Sequence, residues 1–307
     1  MPIVWPTRQG EFVRLAAALK HFSENEHPLQ GIKNASARET LAMQMIASLR
    51  RLNHTRIAKD RDISTARLDP DSPMFDPERA ALLYARSGNL DEAIWLIFLA
   101  THIGKHGKFG WQRLQDIYSA LGQGHWDWQN VSSDPAGFRE WMENNYERIG
   151  GAFGNHRKYE SLRPDSKKGT VAVIESFVNA TNGSPSKWFA NLVRRAGNDP
   201  HTIFDKAYRE FMVERFGRLA RFDFLALLGR LDLVPMSPGS AYLGGATGPL
   251  RGSRLLIDGD ENSKTKAEAL DEVLKRLDRT LKVGMQVMED SICNWQKSPT
   301  AFKHFKG

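Results

Sequence analysis

Residues 91–103 read DEAIWLIFLATHI, and every position from Ala93 to Ala100 is apolar. A helix with no polar face belongs in the middle of a domain, with other elements packed on all sides. Asn89, three residues ahead of Glu92, supplies its N-cap. The apolar run falls far short of the roughly 20 residues that a membrane span requires. The stretch therefore predicts a helical domain organised around one buried helix.

Working outward, the neighbouring segments keep the helical period. Phe12, Leu15, Leu19 and Phe22 recur at spacings of three and four, and Leu41, Met45, Ile46 and Leu49 form a second stripe over 37–51. Residues 60–77, rich in Asp and Pro, read as a loop, and Asp76-Pro77-Glu78 has the N-cap and first-turn proline of a helix start. Residues 104–136 read as short helices and loops, 138–146 as a helix, Gly150-Gly151 as a break, and 153–170 as a basic surface loop or helix start. Helices are expected over 171–181, 186–196, 200–216 and 220–231. The Gly-, Pro- and Ser-rich 232–259 reads as one extended loop with a short element inside it, and 259–265 as a polar linker. A long last helix is expected from Lys266 to Trp295, with Leu270, Val273, Leu274, Leu277, Leu281 and Met285 on one face. No run alternates with a period of two and no fixed-period repeat occurs, so the fold class is all-α. Residues 1–260 are expected to form a helical catalytic domain, possible lobes dividing near 150–170, with 261–307 packing on it as a C-terminal helix.

The 307 residues are 41% hydrophobic and 26% charged, enough for a real core and too apolar for large-scale disorder. The net charge of +7 suits nucleic acid, an anionic membrane or a phosphorylated ligand, and equally a solvated basic face. The single cysteine, Cys293, excludes an internal disulfide and a thiolate metal cage, and fits a reducing cytoplasm. The opening MPIVWPTRQGEF has no apolar segment of signal-peptide length. A soluble, cytoplasmic protein is expected.

Several common chemistries are excluded at motif level: there is no GxxxxGK(S/T), no HExxH and no GxSxG. His102 and His106 have a metal-compatible spacing, but Gly104 lies between them and no third ligand is evident, so a structural or DNA-facing role is preferred and no metal or cofactor is expected.

Four segments carry recognition chemistry. FGNHRKYESL at 153–162 places Asn155, His156, Arg157, Lys158 and Tyr159 in one run. Its cations suit phosphate, its histidine a proton transfer, and its aromatics a stacked base; the alternative is a basic loop with aromatic feet in the core. FGRLARFDFLALLG at 216–229 sets Asp223 among Phe222, Phe224 and Leu225, with Arg218 and Arg221 on one helical face. A carboxylate in apolar surroundings can serve as acid or base, or can be spent in a salt bridge to a nearby arginine. The Gly-rich SPGSAYLGGATGPLRGSRLLIDG at 237–259 offers backbone N–H groups, Thr247 and Arg251 to an anion, or is a plain loop. Trp111, Trp126 and Trp128 lie beside Lys105, Lys108 and His125, a mixture suited to unstacked bases, although tryptophan is more often a core residue. Arg50 and Arg51 either complement the dipole at a helix C-terminus or contact phosphate.

DEAIWLIFLATHIGK, DWQNVSSDP, FGNHRKYESL, RFDFLALLG and GATGPLRG occur in this order over residues 30–260. Together they resemble the alpha-glutamyl/putrescinyl thymine pyrophosphorylase family, clade 3, the amino acid:DNA transferases of phages and related bacterial elements. The resemblance implies a helical fold similar to the helix-hairpin-helix DNA glycosylases. It implies a transferase acting on DNA in which 5-hydroxymethyluracil has been pyrophosphorylated by a partner kinase, inside a phage-infected bacterial cell. Pyrophosphate leaves, and an amino acid such as glycine, or a polyamine, becomes attached through its amine to the 5-methylene.

Such chemistry assigns provisional roles. Asp223 or His156 would take the amine proton. Asn155, Arg157, Lys158, Lys105, Thr247, Arg251, Arg50 and Arg51 would hold pyrophosphate or DNA. Arg218 and Arg221 would hold the amino-acid carboxylate, and Tyr159, Trp126 or Trp128 would stack on the extruded base. The alternatives are a helical DNA glycosylase-like enzyme and a DNA-binding protein that recognises a modified base.

Overall fold

The computed structural model describes residues 4–305, which form fourteen α-helices and no strand. In order these are α1 (Gln9–Asn25), α2 (Ala35–Lys59), α3 (Pro77–Arg86), α4 (Leu90–Ile103), α5 (Gln112–Tyr118), α6 (Trp128–Ser133) and α7 (Pro135–Asn145). After a single 3-10 turn at Asn155–Arg157 come α8 (Thr170–Ala180), α9 (Pro185–Ala196), α10 (Pro200–Glu210), α11 (Arg218–Arg230), α12 (Gly248–Asp258), α13 (Ala267–Leu281) and α14 (Met285–Trp295). The fold is all-α, as the periodicity predicts. No described helix is long and apolar enough to cross a membrane. The described residues divide into two compact units, one running through His54 and resuming at Pro238, the other spanning Thr55–Ser237.

In the first unit, α1 lays Phe12, Leu15, Leu19 and Phe22 into a core shared with Leu41, Met45 and Ile46 of α2 and Leu270, Leu274, Leu277 and Leu281 of α13. Spacings of three and four keep each set on one helical face. Trp295 of α14 is fully buried in the same core, and its indole N–H is shared between the carbonyls of Ala37 and Pro299, each 3.1 Å away. An indole can be buried at little cost only when that N–H finds an acceptor.

Two expectations change in this unit. The segment 266–295 is two helices rather than one. Lys282 (φ 54°) and Gly284 (φ 89°) turn the chain, and the Asp278 carboxylate accepts from the backbone N–H groups of Val283 and Gly284 at 3.0 and 2.8 Å. Met285 lands on the same core as the leucines before the break, so the apolar period runs straight through it. The segment 232–259 is likewise not one long loop, because α12 occupies eleven of its residues. Its Gly252 is a contact glycine: a β-carbon there would lie 2.5 Å from the carbonyl oxygen of Ile292 in α14. Gly252→Ala must push the two helices apart and should destabilise the protein by about 1–3 kcal/mol. Urea unfolding measures this, and wild-type stability would show that the helices separate freely.

The second unit is built around α4. All residues from Glu92 to Ile103 are buried, and α3, α5, α6, α9 and α11 pack on the helix. Phe98 stacks on Phe177 of α8 with ring centroids 3.9 Å apart, and Phe216 and Phe224 of the α11 region complete the cluster. The expected N-caps form: the Asn89 side chain accepts from Glu92 N–H and that of Asp76 from Arg79 N–H. Asp91 accepts from the backbone N–H of Ser186 at 2.7 Å, so one residue of α4 also caps the start of α9.

Glu92 is the costly member of this core. Its carboxylate accepts from the Tyr118 hydroxyl and the Trp128 backbone N–H, both at 2.7 Å, which pins α5 and α6 to α4. Burial nevertheless pushes its pKa from 4.5 up to about 7. A folded-state pKa above the unfolded one means that the stability tied to this group is complete below pH 4.5 and is lost as pH rises through about 7. Glu92→Gln keeps an acceptor and a donor in place without the charge. The variant should therefore flatten the fall in melting temperature between those pH values, and an unchanged slope would assign that fall to other groups.

Candidate active site

The C-terminal end of α4 is where the basic segment 153–162 attaches. Gly104 ends the helix at φ 71°, and a β-carbon on it would lie 3.2 Å from the Cα of Gly154. One on Gly154 would lie 2.9 Å from the carbonyl carbon of Gly104. The two glycines thus let the backbones cross in contact, and Gly154 N–H donates to the Ile103 carbonyl at 2.9 Å. Arg157, buried in the 3-10 turn that follows, donates through Nε to the Thr101 carbonyl at 2.8 Å and through Nη2 to Asp223 Oδ2 at 3.2 Å. A cation bonded to an end carbonyl of α4 also meets the negative end of its dipole.

His102 lies beneath this contact. The Thr170 hydroxyl donates to the Ser161 carbonyl at 3.0 Å, so the imidazole must donate through Nε2 to the Thr170 oxygen, 3.1 Å away. Burial and the Arg157 charge push its pKa down to about 3. His102 is a neutral link in the core.

Asp223 sits at the centre of the group. About 41% of its side chain meets solvent, yet desolvation by the surrounding protein pushes its pKa up. Arg157, His156, Arg218 and Arg230 act in the opposite direction, in that order of strength. Arg230 also acts on Glu78 at the first turn of α3, a second carboxylate whose pKa burial raises, and Lys105 lies within electrostatic range of that group too. Arg157, Arg218 and Arg230 therefore act on Asp223, and Arg230, Lys105 and Arg79 on Glu78, two carboxylates that resist ionisation. Positive charge is thus combined with carboxylates that bind a proton readily.

Of the residues singled out from sequence in this unit, Asp223, His156, Arg157, Arg218 and Lys105 come together here. Asn155, Lys158 and Tyr159 are exposed on the same segment, Tyr159 with 84% of its surface open and the Lys158 ammonium 5.1 Å from its ring centre. Arg221 does not join them. It lies two residues from Asp223 around α11, donates to the Tyr208 carbonyl at 3.0 Å and covers the Tyr208 ring, so it ties α11 to α10.

Trp128 is a correction as well. It is buried against Trp95 and Phe177, out of reach of a base, because the helix it begins packs on α4. Trp126 is half-buried, edge-on to Phe138 and tilted against Trp141.

The remaining candidates belong to the first unit and are engaged there. Arg51 pairs with Asp290, Arg251 with Glu261, and Arg50 lies over the Trp5 ring, while Thr247 is exposed at the start of α12.

Sequence reasoning missed Glu78 and Arg230. Each sits where a helix dipole already accounts for its charge, an acid in a first turn and a base in a last turn. The available signal was the seven-residue spacing of Asp223 and Arg230, which puts both on one face of α11.

The raised pKa of Asp223 sets the sign of a stability test. Its contribution is complete below the unfolded carboxylate pKa of 3.8 and falls as pH rises through the higher folded value. At neutral pH, Asp223→Asn should melt at the wild-type temperature or above it. A clear drop would mean that the bond to Arg157 outweighs the cost of burial.

Comparison with curated proteins and with solved structures returns no match. Comparison with protein families returns one match, to alpha-glutamyl/putrescinyl thymine pyrophosphorylase clade 3, over residues 36–307. The match takes in the whole of Thr55–Ser237, with Asp223 and the residues around it, and the first unit from residue 36 onward, leaving out α1. The chain belongs to the alpha-glutamyl/putrescinyl thymine pyrophosphorylase clade 3 family.

Proposed function

We propose that the protein is an amino acid:DNA transferase that replaces the pyrophosphate of 5-pyrophosphoryloxymethyl-deoxyuridine in DNA with an amine. The family name is that of an enzyme acting on modified thymine. The observation that carries the finer reading is Asp223 itself, a carboxylate with raised pKa bonded to a buried arginine among further cations.

The reaction asks for two kinds of group. As the bond from the 5-methylene carbon to oxygen breaks, its electron pair leaves with pyrophosphate, and negative charge grows on the leaving group. Arg157, Arg218, Arg230 and Lys105 are the cations that would stabilise it. The methylene carbon gains positive character, shared with the pyrimidine, and the amine nitrogen forms the new bond. The amine proton then passes to Asp223, whose raised pKa makes it the better base, or to His156 beside it. Arg218 would pair with the carboxylate of an amino acid. The target base must leave the helical stack to reach Asp223, and exposed Tyr159 is the ring on which it would rest.

The co-substrates would be a small amino acid or polyamine and DNA already charged by a 5-hydroxymethyluracil kinase. The setting would be a phage-infected cell, and a glycosylase-like helical architecture fits a base drawn out of the duplex.

The experiment combines the protein with an oligonucleotide bearing the pyrophosphorylated base and a panel of amines. Nuclease digestion and mass spectrometry follow the nucleosides, and a phosphate assay follows pyrophosphate. One pyrophosphate should appear for each new C–N bond. Asp223→Asn should lower the single-turnover rate by about 10²–10⁴ while duplex binding is retained. Formation of abasic sites, or no modified nucleoside with any amine, would overturn the proposal.

A further inference from the structure

We propose that the loop 105–111, KHGKFGW, is a DNA wedge: Phe109 enters the base stack of a duplex while Lys108 holds a flanking phosphate. The proposal rests on DNA being the substrate and gives a role to two residues, Phe109 and Lys108, that the transfer chemistry does not use.

Phe109 is 41% exposed, although it leaves the C-terminal end of the most deeply buried helix in its unit. Its exposure does not come from a loose chain. His106 and Gly110 exchange both backbone hydrogen bonds, at 2.9 and 2.8 Å, which closes the loop into a tight ring. The His106 Nδ1 accepts from the backbone N–H groups of Lys108 and Phe109, each at 3.2 Å. The His106 ring stacks on Phe109 with centroids 5.1 Å apart and planes 26° from parallel. The root is equally fixed, since Trp111 is buried with the Lys105 ammonium 5.7 Å from its ring centre. The Lys108 ammonium lies 5.2 Å from the Phe109 ring centre. A rigid loop thus presents one exposed apolar ring with a cation beside it, a pattern complementary to a base step and its phosphate. Apolar side chains held this way enter base steps and part them.

The loop's position supplies the purpose. It begins at Gly104, whose backbone is in contact with Gly154 ahead of Arg157, the residue bonded to Asp223. A base drawn out toward Asp223 leaves a gap in its stack, and a ring inserted there recovers part of the lost stacking.

Equilibrium binding to two duplexes, one intact and one with a single abasic site, provides the test. The wild type should prefer the abasic duplex. Phe109→Ala should cut that preference about tenfold, in line with the usual worth of one stacked base, and leave binding to the intact duplex within about twofold. Phe109→Leu should keep most of the preference, because an apolar wedge remains. An adenine analogue beside the gap, 2-aminopurine, should fluoresce differently with wild type and with Phe109→Ala. If Phe109→Ala matches the wild type on both duplexes, or if the wild type binds duplex DNA without preference for the gap, the wedge is wrong and the transferase proposal stands. If the wild type binds neither duplex, the wedge is likewise wrong, and the transferase proposal is decided by the transfer assay alone.

Discussion

A helix buried on every side has to satisfy the polar groups at its two ends with partners from elsewhere in the chain. That constraint on α4 organises the second unit. At its first turn the needs are met by Asn89, and at its last by Gly154 N–H on the Ile103 carbonyl and Arg157 on the Thr101 carbonyl. The groups recruited to the C-terminal end are a glycine loop and a cation. Once a guanidinium is fixed there, its remaining N–H groups face the neighbouring helix, where Asp223 receives one of them. The candidate active site is in this sense the solution to a packing problem.

The same economy explains why the unit tolerates carboxylates that its interior disfavours. Glu92, Glu78 and Asp223 all have pKa values raised by burial. Glu92 repays that with hydrogen bonds to two further helices. Asp223 is bonded to Arg157 and stays open to solvent, and Arg230 acts on both Asp223 and Glu78. An accessible carboxylate that burial makes reluctant to ionise is poorly suited to holding a fold together and well suited to moving a proton.

Much of the helical layout was legible because burial on one face leaves a three-and-four spacing in the sequence. The apolar run within 91–103 announced the central helix, Asn89 its own start, and Asp76 the start of its neighbour α3. The failures share a cause. A turn between two helices that feed one core, as at Lys282–Gly284, leaves the apolar period intact, and a glycine needed for helix contact, as at Gly252, looks like a glycine needed for a loop. At the site, the resemblance put Asp223 and Arg157 in one reaction, but their direct bond was invisible because the two lie sixty-six positions apart in the chain, and Trp128 was misread because the composition around a tryptophan does not reveal which helix it packs on.

The division of the chain also bears on how the molecule is made. The first unit is assembled from two distant segments, and the whole of Thr55–Ser237 lies between them. During synthesis the α1–α2 segment emerges with half of its core missing, and Leu270, Leu274, Leu277, Leu281 and Trp295 arrive only after the second unit is complete in sequence. The second unit is thus the one able to fold first, shortening the effective loop that the first must close. Until α13 and α14 leave the ribosome, the exposed apolar faces of α1 and α2 are the segment of this protein most in need of a chaperone.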